Sequence, residues 1–367
     1  MVALTAYCLL PTADSAAAPP LPPAQGVPST PERIELGRKL YFDRRLSVNG
    51  TIACADCHKP ARGYSDEFPV ALGLLIDGGR ARPAGTRRSP TIINAAYSPL
   101  MFRDGRTAGN VRIGGRLPAG TSALANQALL PLENPIEMGE QSVAQVVNRL
   151  RRIPGYVRLF EEAFGPGAGE GTARQSPIDR NRLGVAIAQF EMTVLSFGAP
   201  IDDYAAGNRQ ALSSQAEIGL GLMEKAHCFE CHRPPQFTTF GFANNGMLYA
   251  THAGETLGAL DRGRGVISGA ADDNRKFKIP TLREVARRPP YGVDGRLPDL
   301  AAVVRHYNRG GARAGTNGSA AGTRDPRINP LIQPQGWSPE QEGFVVTCLT
   351  EAFASPRYPF TEEPKLP

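Results

Sequence analysis

The chain has 367 residues, 41% of them hydrophobic, with 40 glycines, 33 prolines and a formal net charge of +6. That length and apolar content support buried cores for two domains and exclude an intrinsically disordered chain. No Lys/Arg run is interleaved with aromatics, which excludes nucleic acid as a partner, and no apolar run reaches the about 18–20 residues of a membrane span.

In chain order, residues 1–18 run apolar and end in Ala16-Ala17-Ala18. This reads as the tail of a secretory signal peptide whose basic start is missing. An Ala/Pro-rich linker follows, so residues 1–29 form a signal-like leader and linker. Thr30-Pro31 then opens a helix, a capping residue followed by proline at the first helical position. Further helical stretches fall at residues 142–164, 179–196, 214–227, 299–309 and 338–353. Gly/Pro/Asn-rich segments separate them, chiefly residues 60–121 and 233–298, and strand-like alternation is scarce. Cys348 lies in an apolar helical stretch and reads as a buried core thiol; Cys8 stands alone in the leader.

The other four cysteines form Cys54-Ala55-Asp56-Cys57-His58 and Cys228-Phe229-Glu230-Cys231-His232. CxxCH is the spacing of covalent haem c attachment: two thiols reach two vinyl groups, and the next imidazole reaches the iron. A shared Cys₄ zinc site would not require a histidine after each pair, yet this chain places two of its five there. A redox dithiol would need a thioredoxin-like βαβ setting, which neither pair has. Two covalently bound haem c groups are therefore expected, and with them export to the periplasm.

The surroundings of the motifs repeat. After each comes a Pro-Thr element, Pro90-Thr91 and Pro280-Thr281, and then Asp-Gly-Arg at residues 104–106 and 294–296. The fold expected is mainly α, two cytochrome c-like haem domains with long loops. Residues 30–205 form the N-terminal haem domain, 206–353 the C-terminal one and 354–367 a tail.

From residue 30 to 353 the chain resembles the bacterial di-haem cytochrome c peroxidase family, which includes the MauG-like enzymes. The resemblance lies in Glu35-Leu36-Gly37-Arg38-Lys39-Leu40-Tyr41-Phe42-Asp43, both CxxCH motifs, Asn134-Pro135-Ile136-Glu137-Met138-Gly139 and Lys276-Phe277-Lys278-Ile279-Pro280-Thr281-Leu282-Arg283, in that order. It implies that hydrogen peroxide reacts at the first haem while the second stores or relays electrons. It identifies Glu137 with the family's distal acid–base residue, Gln127 with the distal glutamine and Pro131 with the pocket proline. The implied iron ligands are His58 at haem 1, and His232 with Tyr307 at haem 2.

Several departures shape that reading. Many cytochrome c peroxidases close the resting first iron with a histidine from the loop after CxxCH. Here that loop, residues 70–76, has none, and no histidine occurs between His58 and His227. The usual methionine at the second iron is replaced by Tyr307, as in MauG-like members. Leu300, Val303, Val304 and Tyr307 follow helical spacing and are expected to share one buried face, with His306 about 100° away. The family's relay tryptophan is replaced by Arg103, leaving Tyr97 or Phe102 as substitutes, and an insertion of roughly fourteen residues precedes Gln127. Asn94 matches the family's calcium-binding asparagine, with carbonyls expected from Arg288 and Pro290. The electron source implied is a small cytochrome c or cupredoxin donor, or an oxidisable protein substrate, acting on a monomer or homodimer. The alternative is a di-haem electron-transfer protein with no peroxidase turnover.

Overall fold

The computed structural model describes residues 29–108, 123–167, 176–247, 261–311 and 326–367. The leader with Cys8 and the insertion ahead of Gln127, in residues 109–122, lie outside the described residues. The fold is mainly helical, and two compact units divide the chain. One comprises Leu21–Val194 together with Pro359–Pro367; the other holds Leu195–Tyr358.

The N-terminal unit contains α1 (Pro31–Phe42), α2 (Cys54–Cys57), α3 (Ala123–Glu133), α4 (Val143–Arg151), α5 (Pro154–Phe164) and α6 (Arg180–Glu191). Thr30 Oγ1 accepts the Arg33 N–H at 3.4 Å, so the cap read from Thr30-Pro31 starts α1. The stretch expected as one helix over residues 142–164 is two. Pro154 disfavours helical geometry in the residue before it and lacks an N–H, and Ile153 is accordingly extended at φ −105°, ψ 103°. Buried Leu36, Leu40, Val146, Leu150, Phe160 and Leu183 build the core.

The C-terminal unit contains α7 (Pro200–Ala205), α8 (Ser214–Lys225), α9 (Cys228–Cys231), α10 (Arg264–Ser268), α11 (Leu300–Asn308) and α12 (Pro339–Glu351). Ser213 and Ser338 cap α8 and α12 through their hydroxyls, and Asp299 caps α11 through its carboxylate. Cys348 is fully buried in the core with Leu220, Met223 and Val345. Among the described residues no helix is long and apolar enough to cross a membrane.

The internal repeat is structural as well as sequential. In each unit the long helix preceding CxxCH carries a glycine where a second helix crosses it. A Cβ at Gly37 would stand 1.9 Å from the Ala186 carbonyl oxygen, and one at Gly219 would stand 2.0 Å from that of Phe344. Only a residue without a side chain permits either approach. Each Asp-Gly-Arg sits at a hairpin turn. Strands β1 (Leu100–Met101) and β2 (Thr107–Ala108) bracket the first, and a Tyr291–Leu297 bridge brackets the second. The strands β3 (Phe242–Ala243) and β4 (Phe277–Lys278) form a further antiparallel pair.

Candidate active site

Each CxxC pair forms a single helical turn, and the histidine after it is oriented by backbone. His58 Nδ1 lies 2.9 Å from the Pro90 carbonyl oxygen, and its own carbonyl accepts the Tyr41 hydroxyl. His232 Nδ1 lies 3.2 Å from the Phe237 carbonyl oxygen. The first Pro-Thr element thus has a purpose that spacing alone did not show: Pro90 supplies a carbonyl to the His58 imidazole. The threonines pin the same segments, Thr91 Oγ1 donating to Gly63 O at 2.6 Å and Thr281 Oγ1 to Gln236 O at 2.6 Å. With Nδ1–H donating to carbonyl, Nε2 of each ring is the nitrogen presented to a metal.

Burial lowers both imidazoles to about 4, so both stay neutral at pH 7, the form that ligates iron. Burial also lifts the Cys57 and Cys228 thiols to about 12. Neutral, unpaired thiols are not the low-pKa pair of a redox dithiol. Among the described residues no cluster of three or more His, Cys, Asp or Glu side chains is placed to hold a metal ion directly. A thiol pair one turn apart beside an oriented neutral imidazole fits haem c, and the fit holds in both units.

Around the first motif, Glu137 lies within electrostatic reach of Cys57. The turn that carries Glu137 is organised by Asn134. Its carboxamide donates to Glu137 Oε1 at 2.8 Å and its Oδ1 accepts the Ile136 N–H at 2.9 Å. The loop at residues 70–76 packs directly on this turn. Leu74 N–H donates to the Glu137 carbonyl at 3.2 Å, and a Cβ at Gly73 would meet Ile136 O at 1.6 Å. Burial raises the Glu137 carboxyl above the ordinary carboxylate range, while the Arg106 guanidinium and the Asn134 bond partly offset that rise. Gln127 is half-buried on α3, which leads into the turn, and Pro131 lies within the same helix. Lacking an N–H, Pro131 cannot donate to the Gln127 carbonyl four residues back.

A second buried carboxyl, Glu191 at the end of α6, was not singled out by sequence. It is 5% exposed, its Oε2 has no hydrogen-bond partner, and it faces Cys54 and Tyr41. Burial lifts it to about 8. A carboxyl raised on folding keeps its proton in the folded state where the unfolded chain loses it, so stability falls as pH rises from about 4.5 to about 8. Glu191→Gln is expected to remove that slope and to stabilise the N-terminal unit by about 2–4 kcal/mol at pH 8 relative to pH 5. Urea unfolding at the two pH values measures this, and parallel stability curves for variant and parent would refute it.

In the C-terminal unit, Tyr307 is placed against the second motif. Cys228 and Cys231 lie within its electrostatic environment, and Asn245 Nδ2 donates to its hydroxyl at 3.1 Å. Burial raises the phenol to about 12. The expected buried face needs correction. Leu300, Val304 and His306 are buried, while Val303 and Tyr307 keep accessible surface. His306 turns inward because its Nε2 bonds the Asn245 carbonyl at 2.8 Å. Asn245 therefore holds both Tyr307 and His306, the first through its side chain and the second through its backbone. Sequence reading did not find it, because Asn244-Asn245-Gly246 reads as an ordinary turn.

Asn94 precedes a short helical turn at residues 95–97. It is buried in left-handed backbone at φ 56°, with its N–H donating to Val194 O at 3.0 Å. Arg103 occupies the relay-tryptophan position. Its Nε donates to Arg88 O at 2.7 Å and its charge reaches His58.

A family model described as di-haem cytochrome c peroxidase matches residues 31–210. Methylamine utilization protein MauG of Methylorubrum extorquens is 35% identical over 294 residues, covering 80% of this chain and 73% of that protein. Cytochrome c551 peroxidase of Pseudomonas aeruginosa is 30% identical over 281 residues, covering 76% and 72% respectively. Among solved structures, the chain is similar to a MauG-like protein associated with microbial copper homeostasis. The TM-score is 0.73 at 28% identity, with 94% of this chain and 95% of that one covered.

Proposed function

The chain belongs to the di-haem cytochrome c peroxidase family, a family of oxidoreductases, and we propose that it reduces hydrogen peroxide in the periplasm at the first of two haem c groups. The observation that carries this reading is Glu137, a half-buried carboxyl within electrostatic reach of Cys57, in a unit whose neighbouring loop offers no histidine. When bound, the haems supply an iron that takes peroxide in the N-terminal unit and a store of electrons in the C-terminal one.

The chain's own residues would do the rest. His58, held through Nδ1, presents Nε2 to the first iron. Glu137 takes the peroxide proton and returns it to the outer oxygen, so that oxygen leaves as water. Asn134 holds the carboxylate in line, and Gln127 steers the substrate from α3. His232 and Tyr307 serve the second iron, with Asn245 fixing the phenol. A phenolate ligand favours the higher oxidation states of haem iron. This leans towards an oxidisable protein substrate over a small cytochrome c or cupredoxin donor. For calcium at Asn94 the support is the resemblance alone, since a buried left-handed asparagine also serves purely local needs.

The test is the resting ferric EPR spectrum with a peroxide titration. One high-spin and one low-spin haem, both responding to peroxide, is the expected result. Two low-spin haems inert to peroxide would leave an electron carrier instead. Tyr307→Phe is expected to convert the low-spin signal to high-spin while both haems stay attached. An unchanged low-spin signal in that variant would remove Tyr307 from the iron.

A further inference from the structure

The two units brace their Pro-Thr elements in the same way. Tyr64 and Phe237 are both buried and both in left-handed backbone, at φ 52° and 50°, a conformation that residues with a side chain seldom adopt. Each carbonyl accepts the N–H that follows the Pro-Thr pair, Tyr64 O from Ile92 at 3.2 Å and Phe237 O from Leu282 at 3.1 Å. Each threonine hydroxyl bonds the carbonyl one residue earlier, at Gly63 or Gln236. A phenyl ring suffices at this position in the C-terminal unit. In the N-terminal unit the ring carries a hydroxyl that the turn itself does not require.

That hydroxyl is met from far along the chain, where residues 359–367 return to the N-terminal unit. Tyr64 donates to the Pro359 carbonyl at 2.5 Å, and Thr361 Oγ1 lies 2.8 Å from the same phenol oxygen. The segment then runs along α1. Arg38 donates to Glu362 O at 3.2 Å and Lys39 Nζ to Lys365 O at 2.7 Å. Helix α1 also carries Tyr41, whose hydroxyl donates to the His58 carbonyl. Residues 359–367 thus form a strap over both supports of His58, namely α1 and the Gly63–Tyr64 turn. A buried phenol left without these partners would strand its proton at a cost.

We propose that Tyr64 is a positioning residue for the first iron. Its hydroxyl, held by Pro359 and Thr361, fixes the segment whose Pro90 carbonyl bonds His58 Nδ1 at 2.9 Å. The inference rests on the reading of His58 as the ligand of the first haem. The bond at Nδ1 orients the ring and raises its basicity towards a metal, so slack at Tyr64 weakens the imidazole as a donor. No proton or electron passes through Tyr64 itself.

The experiment is resonance Raman spectroscopy of the reduced holoprotein well below its thermal midpoint, reading the iron–histidine stretch of the five-coordinate haem. Tyr64→Phe, which gives this turn the side chain found at Phe237, is expected to move that stretch to lower frequency. It should also slow the peroxide reaction about 3–10-fold, less than the about 10–100-fold that follows loss of a ligand's direct partner. Thr361→Val leaves Tyr64 in place and is expected to give a smaller shift in the same direction. A shift in Tyr64→Phe alone supports the role through the Pro359 carbonyl. A stretch at the parental frequency in Tyr64→Phe overturns it, even where the peroxide reaction slows, because that marks a structural fault only. If Tyr64→Phe folds poorly, Thr361→Val decides in the same way. A parent protein with no iron–histidine stretch overturns the reading of His58 beneath the proposal.

Discussion

Glu137→Gln slows the reaction with peroxide by about 10²–10⁴-fold, the usual contribution of a positioned acid–base group, while both haems stay attached. Glutamine preserves the size of the side chain and can still accept the Asn134 N–H, which in the parent reaches Oε1 at 2.8 Å. It cannot take a proton. The loss should therefore appear in the bimolecular step with peroxide, and little in the resting spectrum or the thermal midpoint. The acid limb of the pH profile should vanish with it, because that limb reports a carboxyl raised above its ordinary range by burial. Stopped-flow spectra at several peroxide concentrations measure the rate. A variant within threefold of the parent would take the proton transfer away from Glu137.

Asp202→Ala is expected to destabilise the C-terminal unit by about 3–5 kcal/mol, the cost of stranding a buried charge. Its partner Arg283 is 0% exposed and forms two 2.8 Å bonds with the Asp202 carboxylate. Arg283 also donates to the Pro235 carbonyl and lies between the Phe197 and Phe237 rings. Removing Asp202 leaves the guanidinium without its counter-charge in a place water does not reach. The damage should extend to the second haem. Phe237 carries the carbonyl that bonds His232 Nδ1 and also accepts the Leu282 N–H. Chemical denaturation of the holoprotein, followed at the second haem's absorbance, measures the change. Asp202→Asn keeps one acceptor and should lose less. A loss below 1 kcal/mol in Asp202→Ala would mean that the Pro235 carbonyl and the two rings hold Arg283 unaided.

The helix starts were legible because their causes are local. Thr30, Asp299 and Ser338 each cap with their own side chain the helix that begins one residue later. The haem motifs were legible for the same reason, since attachment chemistry demands a fixed spacing within five residues. Reading failed where a proline was passed over and where a chain-distant partner decides. Apolar periodicity ran unbroken through Pro154, so one helix was expected where the proline makes two. Helix α3 was not read from sequence, its stretch being short and carrying Pro131. His306 was expected off the buried face, but the carbonyl of Asn245, 61 positions away, draws it inward.

The same division holds at the candidate site. Sequence by itself determined the family, the two haem-attachment motifs and a carboxyl at Glu137, because these rest on residue identity and short spacing. It did not show that the Pro90 and Phe237 carbonyls orient the imidazoles, or that Asn245 holds Tyr307. Nor did it place the last nine residues with the N-terminal unit, where Lys39 and Arg45 donate to the Lys365 and Pro367 carbonyls. Those facts belong to the tertiary structure for one physical reason. Hydrogen bonds and fixed charges act across a few ångströms of space, and only folding decides which distant residues come that close.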